Sequence, residues 1–457
     1  MNLPNYFFAD LPPEATLSAA MIGEACQTLK RNREQYLAHR PTHSLVNALS
    51  HVGKSWQEPA YPFRKLALEL GPRATGFSTG TLAAGLDVFF KQLTPENFEA
   101  LLEQDLGHAK RLDAIVAAGA EQKTDRAAIA SAPELLVHIT AGNLPVSALM
   151  SIVLGVLVRS AQFVKCASGA ALLPRLFAHS LYEVEPKLGA CLELAEWPSG
   201  NHTLTDALFS EADCVTATGS DKALEALKLR VPPKTRFLGY GHRVSFGFVC
   251  GKMLFGLNSR RVVGQAATDV VAWNQLGCLS PHVIYVEAGG ELSAEQFADA
   301  LAEELEAREA SEPRGELPTD AAAAIASRRS IYEVRAAHSP DTRHWSSRNS
   351  TAWTVVYEAD PRFQLSCLNR FVYVKGVKDL TEALQSADSV RGQVSTVGLA
   401  APEHQAQEMA TALARWGVTR VCPLGRMQAP PLTWRHDGRP ALGDLVTWTD
   451  WELGQSR

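Results

Sequence analysis

From residue 134 onward, short apolar segments with the length of β-strands alternate with segments that have the spacing of helices. The first two strands are predicted at 134–140 (ELLVHIT) and 161–167 (AQFVKCA), with an apolar helix between them. A third strand is predicted at 213–220 (DCVTATGS), followed at once by a short helix at 221–228. Strands joined by crossover helices run parallel, so this alternation predicts an α/β fold built on a parallel sheet.

Residues 14–130 precede the alternating part and are rich in Ala, Leu, Glu and Arg. Apolar residues recur at helical spacing in 14–40 and again in 97–122. We therefore predict a mainly helical lead over residues 1–130, before a sheet-containing part at 131–245. We place the main domain boundary at 245, and the second domain, residues 246–457, includes a C-terminal tail.

Composition and charge exclude several classes of protein. With 457 residues, 46% hydrophobic and 20% charged, the chain has room for two or three globular domains. Its net charge is −5 and no basic stripe is present, so we expect no nucleic-acid partner. The longest apolar run, 146–158, contains two serines and is shorter than the roughly 20 residues that span a bilayer, which predicts a buried helix and no transmembrane segment. The N-terminus has no secretion-signal pattern, so we expect a cytoplasmic protein.

The cysteines indicate neither a disulfide framework nor a metal site. They are scattered, with no C-x-x-C pair and no Cys/His spacing typical of zinc ligands. The eight are Cys26, Cys166, Cys191, Cys214, Cys250, Cys278, Cys367 and Cys422. Reduced, packed thiols and no bound metal are expected.

Two strand ends of the first domain have the features of phosphate and ribose sites. The third strand ends in Thr218-Gly219-Ser220 and leads into a helix, where free N–H groups and the helix dipole suit a pyrophosphate. An ordinary strand-turn-helix corner explains the same residues, and the G-x-G-x-x-G fingerprint is absent. Lys165 lies at the carboxyl end of the second strand, where ligands bind in open α/β sheets. A surface lysine that packs its stem on apolar neighbours is the alternative.

The turn AGNLP, residues 141–145, presents an amide side chain between a strand and the apolar helix. Pro145 suits the first position of that helix. Asparagine is common in such turns because its side chain can hydrogen-bond to the nearby backbone, and this alone would explain Asn143. Its side-chain N–H could instead donate to a developing oxyanion, a role that amides fill in other enzymes.

Cys278 lies in NQLGCLSPH, residues 274–282, where a helical pattern at 264–276 gives way to the strand pattern HVIYVE. Gly277 suits the end of the helix. Free cysteine is among the most buried residue types, so a packed thiol is the plain interpretation. A helix C-terminus also disfavours a thiolate, so a reactive sulfur here would need a stabilising neighbour from elsewhere in the fold.

Taken together, Asn143, Lys165, residues 218–220 and Cys278 resemble the aldehyde dehydrogenase superfamily in order and approximate spacing. In that superfamily a P-x-N-x-P turn supplies an oxyanion donor, a strand-end lysine binds the adenosine ribose, a TGS turn lies by the pyrophosphate and a cysteine is the nucleophile. Within it, the chain is similar to the long-chain acyl-CoA reductases of bacterial luminescence, the LuxC family. The segments that carry this likeness, over about residues 130–430, are TAGNLP, ATGS, WNQLGCLSP, SCLNR and VCPLG.

The resemblance implies an aldehyde dehydrogenase-like fold. A Rossmann-like part at 131–245 then belongs to a cofactor-binding domain, and residues 246–457 form an α/β domain with the catalytic thiol. The implied site comprises catalytic Cys278 and Asn143, with Lys165, Ser168, Thr218, Gly219 and Ser220 at the cofactor.

Two departures from hydrolysing aldehyde dehydrogenases bear on the reaction. Their water-activating glutamate has no counterpart in FLGYGHRVSF, residues 237–246, where no carboxylate occurs. His242 in this stretch could act as a base, but a structural role is the favoured interpretation. Ser168 stands where NAD-preferring relatives often have a glutamate on the ribose hydroxyls, which favours NADPH. The nicotinamide-side glutamate is also missing near SCLNR, where Asn369 is assigned in its place.

The function that follows is NADPH-dependent reduction of a long-chain fatty acyl-CoA, or another acyl thioester, to a fatty aldehyde through a cysteine acyl-enzyme. Two alternatives stay open: a CoA-acylating aldehyde dehydrogenase for short chains, and a non-catalytic NADP-binding assembly component. An acyl-transferring partner protein is a further possibility, and we expect a homo-oligomer. The sequence leaves open the chain length, the physiological acyl donor and any part in light emission.

Overall fold

The computed structural model describes residues 3–12 and 14–453 of the chain. It contains two compact units. The first unit comprises the described parts of 1–75, 86–241 and 431–457, and the second comprises 76–85 and 242–430. The assignment of cofactor binding and thiol chemistry to domains divided at 245 stays a prediction.

Helices and strands have the following bounds. The α-helices are α1 (Ala19–Tyr36), α2 (Thr42–Gln57), α3 (Pro62–Thr75), α4 (Thr79–Phe90), α5 (Pro95–Leu106), α6 (Gly119–Gln122), α7 (Pro145–Leu157), α8 (Leu172–Val184), α9 (Pro186–Gly189), α10 (His202–Glu211), α11 (Asp221–Lys228), α12 (Leu257–Val271), α13 (Ala294–Ser311), α14 (Thr319–His338), α15 (Leu380–Ser386) and α16 (Glu403–Trp416). The strands are β1 (Arg126–Ser131), β2 (Leu135–Ile139), β3 (Ala161–Cys166), β4 (Leu192–Glu196), β5 (Cys214–Thr218), β6 (Arg236–Tyr240), β7 (Val244–Val249), β8 (Pro281–Glu287), β9 (Thr342–Ser346), β10 (Thr354–Glu358), β11 (Phe371–Val377), β12 (Val394–Ala400), β13 (Arg420–Pro423) and β14 (Thr447–Glu452). Short 3₁₀ turns lie at Phe8–Asp10, Gly251–Met253, Ala272–Gln275, Asp388–Val390 and His436–Gly438.

The first unit is built on a five-stranded parallel sheet in the order β4-β3-β2-β5-β6. The three strands predicted from the sequence are β2, β3 and β5, and Pro145 begins the apolar helix α7. Helices α1 and α10 cover one face of the sheet, with a core that includes Ile22, Phe163 and Leu208. The predicted α/β fold class is confirmed.

A helical lead precedes this sheet, as predicted, but a β-strand that was not predicted follows the helices. The helix expected over 97–122 ends at Leu106, because Gly107 adopts a left-handed conformation that closes α5. The strand β1 then pairs antiparallel with β14 near the C-terminus. Neither strand has a strong alternating pattern, and the sequence analysis missed both.

The second unit contains a seven-stranded sheet in the order β13-β12-β7-β8-β11-β10-β9. Six strands are parallel, and the edge strand β9 is antiparallel to β10. Side chains of β8 alternate between two cores: Ile284 and Val286 pack with α12 and α13, while Val283 and Tyr285 pack on the opposite face. The sheet is therefore buried on both faces, as parallel sheets are.

Candidate active site

The first sheet changes direction between β2 and β5, because β3 and β4 lie on one side of β2 and β5 and β6 lie on the other. Ligands in open α/β sheets bind at such a switch point, beyond the carboxyl ends of the strands. Asn143 follows β2 and residues 218–220 end β5, so both flank this point. Gly142 lies next to the loop after β3, since a Cβ at this glycine would be 3.3 Å from the Cβ of Ala167.

The TGS turn is partly occupied by contacts of its own. Ser220 caps α11, because its Oγ accepts from the Ala223 N–H at 3.3 Å, and the Gly219 N–H donates to the Tyr240 carbonyl at 3.2 Å. Helix α7, after Asn143, has no side-chain cap and no acidic residue in its first turn. Its N–H groups are therefore better suited to an anionic ligand than those of α11.

Lys165 is a buried cation next to an exposed loop. Its side chain is 8% exposed, and its ammonium lies 6.0 Å from the centre of the Trp197 ring. Burial lowers the pKa of Lys165, whereas the charges of Cys166 and Glu196 raise it. A mostly buried ammonium of this kind fits a ligand that brings hydroxyl or phosphate oxygens.

Glu196 is a nearby carboxylate that the sequence analysis missed. It ends β4, which pairs with β3, and its Oε1 accepts from the Gly169 N–H at 2.7 Å. Gly169 has a φ of +77°, a conformation that directs this loop, including exposed Ser168, toward the end of β4. Residue 168 itself is uncharged, but the Glu196 carboxylate still places a negative charge next to its loop. The signal in the sequence was a carboxylate at the carboxyl end of a parallel strand. It could be related to Lys165 only once β3 and β4 were known to be neighbours.

Other segments contribute to the surroundings of residues 237–246. Tyr240, at the end of β6, stacks on His436 with ring centres 4.5 Å apart, and the Arg439 guanidinium lies 4.2 Å from the centre of its ring. Asp221 also comes close, since a Cβ on Gly241 would lie 2.3 Å from its Oδ1. The stretch itself has no carboxylate, but its surroundings do.

In the second unit, three predicted residues share one edge of the sheet. His242 precedes β7, Cys278 precedes β8 and Asn369 precedes β11. These strands are parallel neighbours, so the segments that enter them meet at the same edge. Cys278, His242 and the Asn369 loop are thereby brought together.

Cys278 does not follow directly on a helix as the sequence predicted. Helix α12 ends at Val271, and Trp273, Asn274 and Gln275 have φ values of 50°, 51° and 61°, which break the helical path. The unfavourable C-terminus of α12 is therefore separated from Cys278 along the chain by residues 272–277. The Cys278 carbonyl accepts from Ser245 Oγ at 2.7 Å, which fixes the loop to β7.

The thiols differ in their surroundings. Burial raises the pKa of seven of them, to about 12 for Cys26, Cys166 and Cys191, to about 11 for Cys250 and Cys422, and in direction for Cys214 and Cys367. Cys278 is half-buried and lies between buried Gly277 and Leu279. The loop therefore exposes the cysteine while its neighbours pack into the core.

His282 is a second residue of this edge that the sequence analysis missed. The pairing of β7 with β8 shifts between Ser245 and Phe246, so His282 lies at an irregularity of the kind that turns a side chain. Its Nδ1 lies 3.1 Å from the Ser366 N–H, which donates to it and fixes the Nε2–H tautomer. Burial, and secondarily the charge of His242, lower its pKa to about 4. At neutral pH it is an uncharged donor.

Asn369 is 7% exposed and lies in a left-handed run with Leu368 and Arg370, at φ values of 56°, 58° and 65°. Its Nδ2 is 3.5 Å from the Cys367 carbonyl. The adjacent Arg370 donates from Nε to Asn274 Oδ1 at 3.1 Å. This bond joins the loop before β11 to the segment that leads to Cys278.

Within residues 3–12 and 14–453, no three His, Cys, Asp or Glu side chains are grouped so that they could hold a metal ion. Nor does any helix there have both the length and the apolar character needed to cross a bilayer.

Comparison with known sequences identifies a family. The profile of the family described as acyl-CoA reductase (LuxC) matches residues 37–448. A long-chain acyl-protein thioester reductase of Aliivibrio fischeri is 24% identical over 417 residues, which cover 89% of this chain and 82% of the relative. A protein with the same description from Photorhabdus laumondii is 22% identical over 417 residues, 90% of this chain and 82% of its own length.

Solved structures with the same fold are aldehyde dehydrogenases. An NAD-dependent benzaldehyde dehydrogenase from Corynebacterium glutamicum superposes with a TM-score of 0.68 at 12% identity, covering 96% of this chain and 91% of that chain. A betaine aldehyde dehydrogenase from Staphylococcus aureus gives a TM-score of 0.69 at 13% identity, covering 97% and 90%. The predicted aldehyde dehydrogenase-like fold is confirmed.

Proposed function

The chain belongs to the acyl-CoA reductase (LuxC) family, and on that premise we propose that it reduces a long-chain fatty acyl thioester to the fatty aldehyde through an acyl-enzyme on Cys278. The observation that carries this proposal is the position of Cys278. It is a half-buried thiol in a loop that the Ser245 hydroxyl fixes to β7, at the edge of the sheet where the segments before β7, β8 and β11 meet.

The protein's part in the reaction begins with attack of the Cys278 thiolate on the acyl carbonyl carbon. The Cys278 N–H and the Asn143 amide are the proposed donors to the oxyanion. Collapse of this intermediate expels the thiolate of the acyl donor and leaves a thioester on Cys278. After reduction of that thioester, the same donors hold the second oxyanion, whose collapse releases the aldehyde and restores the Cys278 thiolate.

A nicotinamide cofactor supplies the hydride when bound, and the first unit is the proposed place for it. Lys165, with its mostly buried ammonium near the charge of Glu196, fits the oxygens of a ribose or phosphate. Residues 218–220 and the uncapped first turn of α7 are the proposed neighbours of the pyrophosphate. NADPH is the proposed form because residue 168 is serine, and Glu196 opposes that preference by like-charge repulsion. Asn369 remains the proposed residue on the nicotinamide side.

The proposed acyl donor is a protein thioester or an acyl-CoA. Relatives of this chain are described as acyl-protein thioester reductases, which supports an acylated partner protein as the donor. A thiolate is a good leaving group in either case, so the second unit needs no acid to release it. Comparing the two donors separates the possibilities.

Steady-state assays with the full chain test the function. The protein is mixed with acyl-CoAs of two to sixteen carbons and NADPH, and both cofactor oxidation and aldehyde are measured. We expect aldehyde from the long chains, no product with Cys278→Ala, and nearly unchanged rates with Cys26→Ala, whose thiol is buried. Preference for short chains would favour a CoA-acylating aldehyde dehydrogenase, and cofactor binding without acylation would favour a non-catalytic role.

A further inference from the structure

Arg420 is a half-buried cation at the start of β13. Its Nη1 donates to the Met427 carbonyl at 2.7 Å and its Nη2 donates to the Arg426 carbonyl at 3.0 Å. The guanidinium is therefore held against the segment at 424–428, which follows β13.

The same segment contacts both sides of Cys278. Gln428 donates from Nε2 to Ser280 Oγ at 2.5 Å, and a Cβ on Gly277 would lie 2.5 Å from that nitrogen. Only the absence of a side chain at Gly277 allows this approach. Hydrogen bonds and packing thus link the guanidinium of Arg420 to the loop that carries the thiol.

Asp269 on α12 also holds the segment at 424–428 in place. Its carboxylate accepts from the Gly425 N–H at 2.5 Å and from the Met427 N–H at 2.9 Å. Burial raises the pKa of Asp269 to about 7, so near neutral pH this carboxylate is only partly ionised. It therefore neutralises less of the Arg420 charge than an ordinary aspartate would.

The guanidinium and the Cys278 sulfur are electrostatically coupled. Burial lowers the pKa of Arg420, ionised Cys422 and then Asp269 raise it, the charge of Arg426 lowers it, and ionised Cys278 raises it with the smallest of these contributions. An interaction between two charges is mutual, so the guanidinium favours the ionised sulfur to the same extent. The groups that face Arg420 are thus two thiols, one partly protonated carboxylate and one exposed arginine.

We propose that Arg420 is the cation that holds Cys278 as a thiolate, and that the segment at 424–428 positions it for this task. The inference rests on the proposed function, because it takes Cys278 as the nucleophile. The thiol proton passes to water, and Arg420 remains protonated throughout. No base beside Cys278 is then required before the attack on the acyl group.

The test is the pH dependence of alkylation of Cys278 by iodoacetamide in the full chain, without acyl donor or cofactor. Modification is located by peptide mass spectrometry. We expect a midpoint for wild type below about 8.5, the ordinary value for cysteine. Arg420→Gln should raise the midpoint by about one unit and slow alkylation at pH 7 about tenfold. Arg420→Lys should keep the wild-type midpoint, because it keeps the charge.

Arg426→Gln is the matched control, since it removes an exposed charge of the same segment and keeps the carbonyl that Arg420 binds. It should leave the midpoint unchanged. A wild-type midpoint at or above 8.5 would overturn the proposal, as would equal midpoints for wild type and Arg420→Gln. If Arg420→Gln does not fold, wild type and Arg420→Lys decide the question. Because no acyl transfer is measured, failure here leaves the proposed function to its own test.

Discussion

At the scale of single residues, the neighbours of a side chain decide what it can do. Lys165 and Glu196 end adjacent strands, and the loop after Lys165 donates its Gly169 N–H to that carboxylate. The lysine proposed to bind ribose or phosphate oxygens therefore has a carboxylate nearby that would repel a phosphate. On the proposed function, both residue 168 and residue 196 should influence the choice between NADPH and NADH.

Cofactor preference is the first prediction at this scale. Ser168→Glu adds a negative charge, so the ratio of kcat/KM for NADPH to that for NADH should fall about tenfold or more. Glu196→Gln removes a negative charge and should raise the ratio of kcat/KM for NADPH to that for NADH. Both ratios come from initial rates with each cofactor. Ratios equal to that of wild type in both variants would contradict the proposed ribose site.

Oxyanion stabilisation is the second prediction. Asn143→Ala removes the proposed amide donor, so kcat should fall about 10²- to 10³-fold. Alkylation of Cys278 by iodoacetamide should stay at the wild-type rate, because that reaction forms no oxyanion. Single-turnover aldehyde formation is the measurement, and an unchanged rate would remove Asn143 from the mechanism.

At the scale of elements, two short left-handed segments flank the thiol edge of the second sheet. One follows α12 at 273–275 and the other precedes β11 at 368–370, and the Asn274–Arg370 hydrogen bond joins them. A left-handed conformation costs roughly 1–2 kcal/mol for a residue other than glycine. The contacts made by Asn274 and Arg370 must offset that cost, so this junction is expected to be sensitive to substitution.

Asn274→Ala should lower the free energy of unfolding by about 3 kcal/mol, because it leaves Arg370 Nε and the Arg314 carbonyl without their partner. Asn274→Gly loses the same bonds but tolerates the positive φ, so its loss should be smaller by about 1 kcal/mol. Denaturant unfolding gives both values. Asn349→Ala, at an exposed residue with a φ of 56°, isolates the backbone cost. Equal losses for Ala and Gly at 274 would show that strain plays no part there.

At the scale of the whole molecule, each unit has a buried histidine that cannot easily be charged. Burial lowers the pKa of His138 in the first unit and of His282 in the second to about 4. The unfolded chain binds these protons near pH 6.5, before the folded protein does. Their contribution to stability is therefore complete above pH 6.5 and is lost as the pH falls toward 4.

His282→Asn tests this pH dependence. Asparagine can still accept from the Ser366 N–H but does not titrate, so the variant should lose less stability than wild type between pH 6.5 and 4.5. The difference between the two pH values should be about 2 kcal/mol. Thermal unfolding across this range is the measurement, with exposed His338→Asn as the control. Parallel curves for His282→Asn and wild type would contradict the assigned cause.

Prediction from sequence succeeded where the signal is local. The strands β2, β3 and β5 and the helix start at Pro145 follow from hydrophobic patterns and from the preference of proline for the first helical position. The pairing of β1 with β14 is not local, because it joins residues more than 300 positions apart. The helix break before Cys278 was also missed, since nothing in WNQL marks a left-handed path that Arg370 stabilises from a distant loop.

The candidate site was only partly predictable, because motifs are local in the sequence whereas contacts between distant segments are not. The candidate residues Asn143 and Cys278 could be named from their order and spacing, but the contact that fixes the Cys278 loop comes from Ser245, which lies in strand β7. Arg420, Glu196 and His282 belong to strands whose neighbours are known only from the sheet order. Charge effects on the thiol and the ribose site therefore required the fold.

Acylation of Cys278 is tested most directly by the mass of the intact protein after mixing with a long-chain acyl thioester in the absence of cofactor. We predict one acyl adduct, located on Cys278. It should form in wild type and in Cys422→Ala but not in Cys278→Ala. Addition of NADPH should release the acyl group as aldehyde. No adduct, or an adduct on another side chain, would contradict the central claim that Cys278 carries the acyl group.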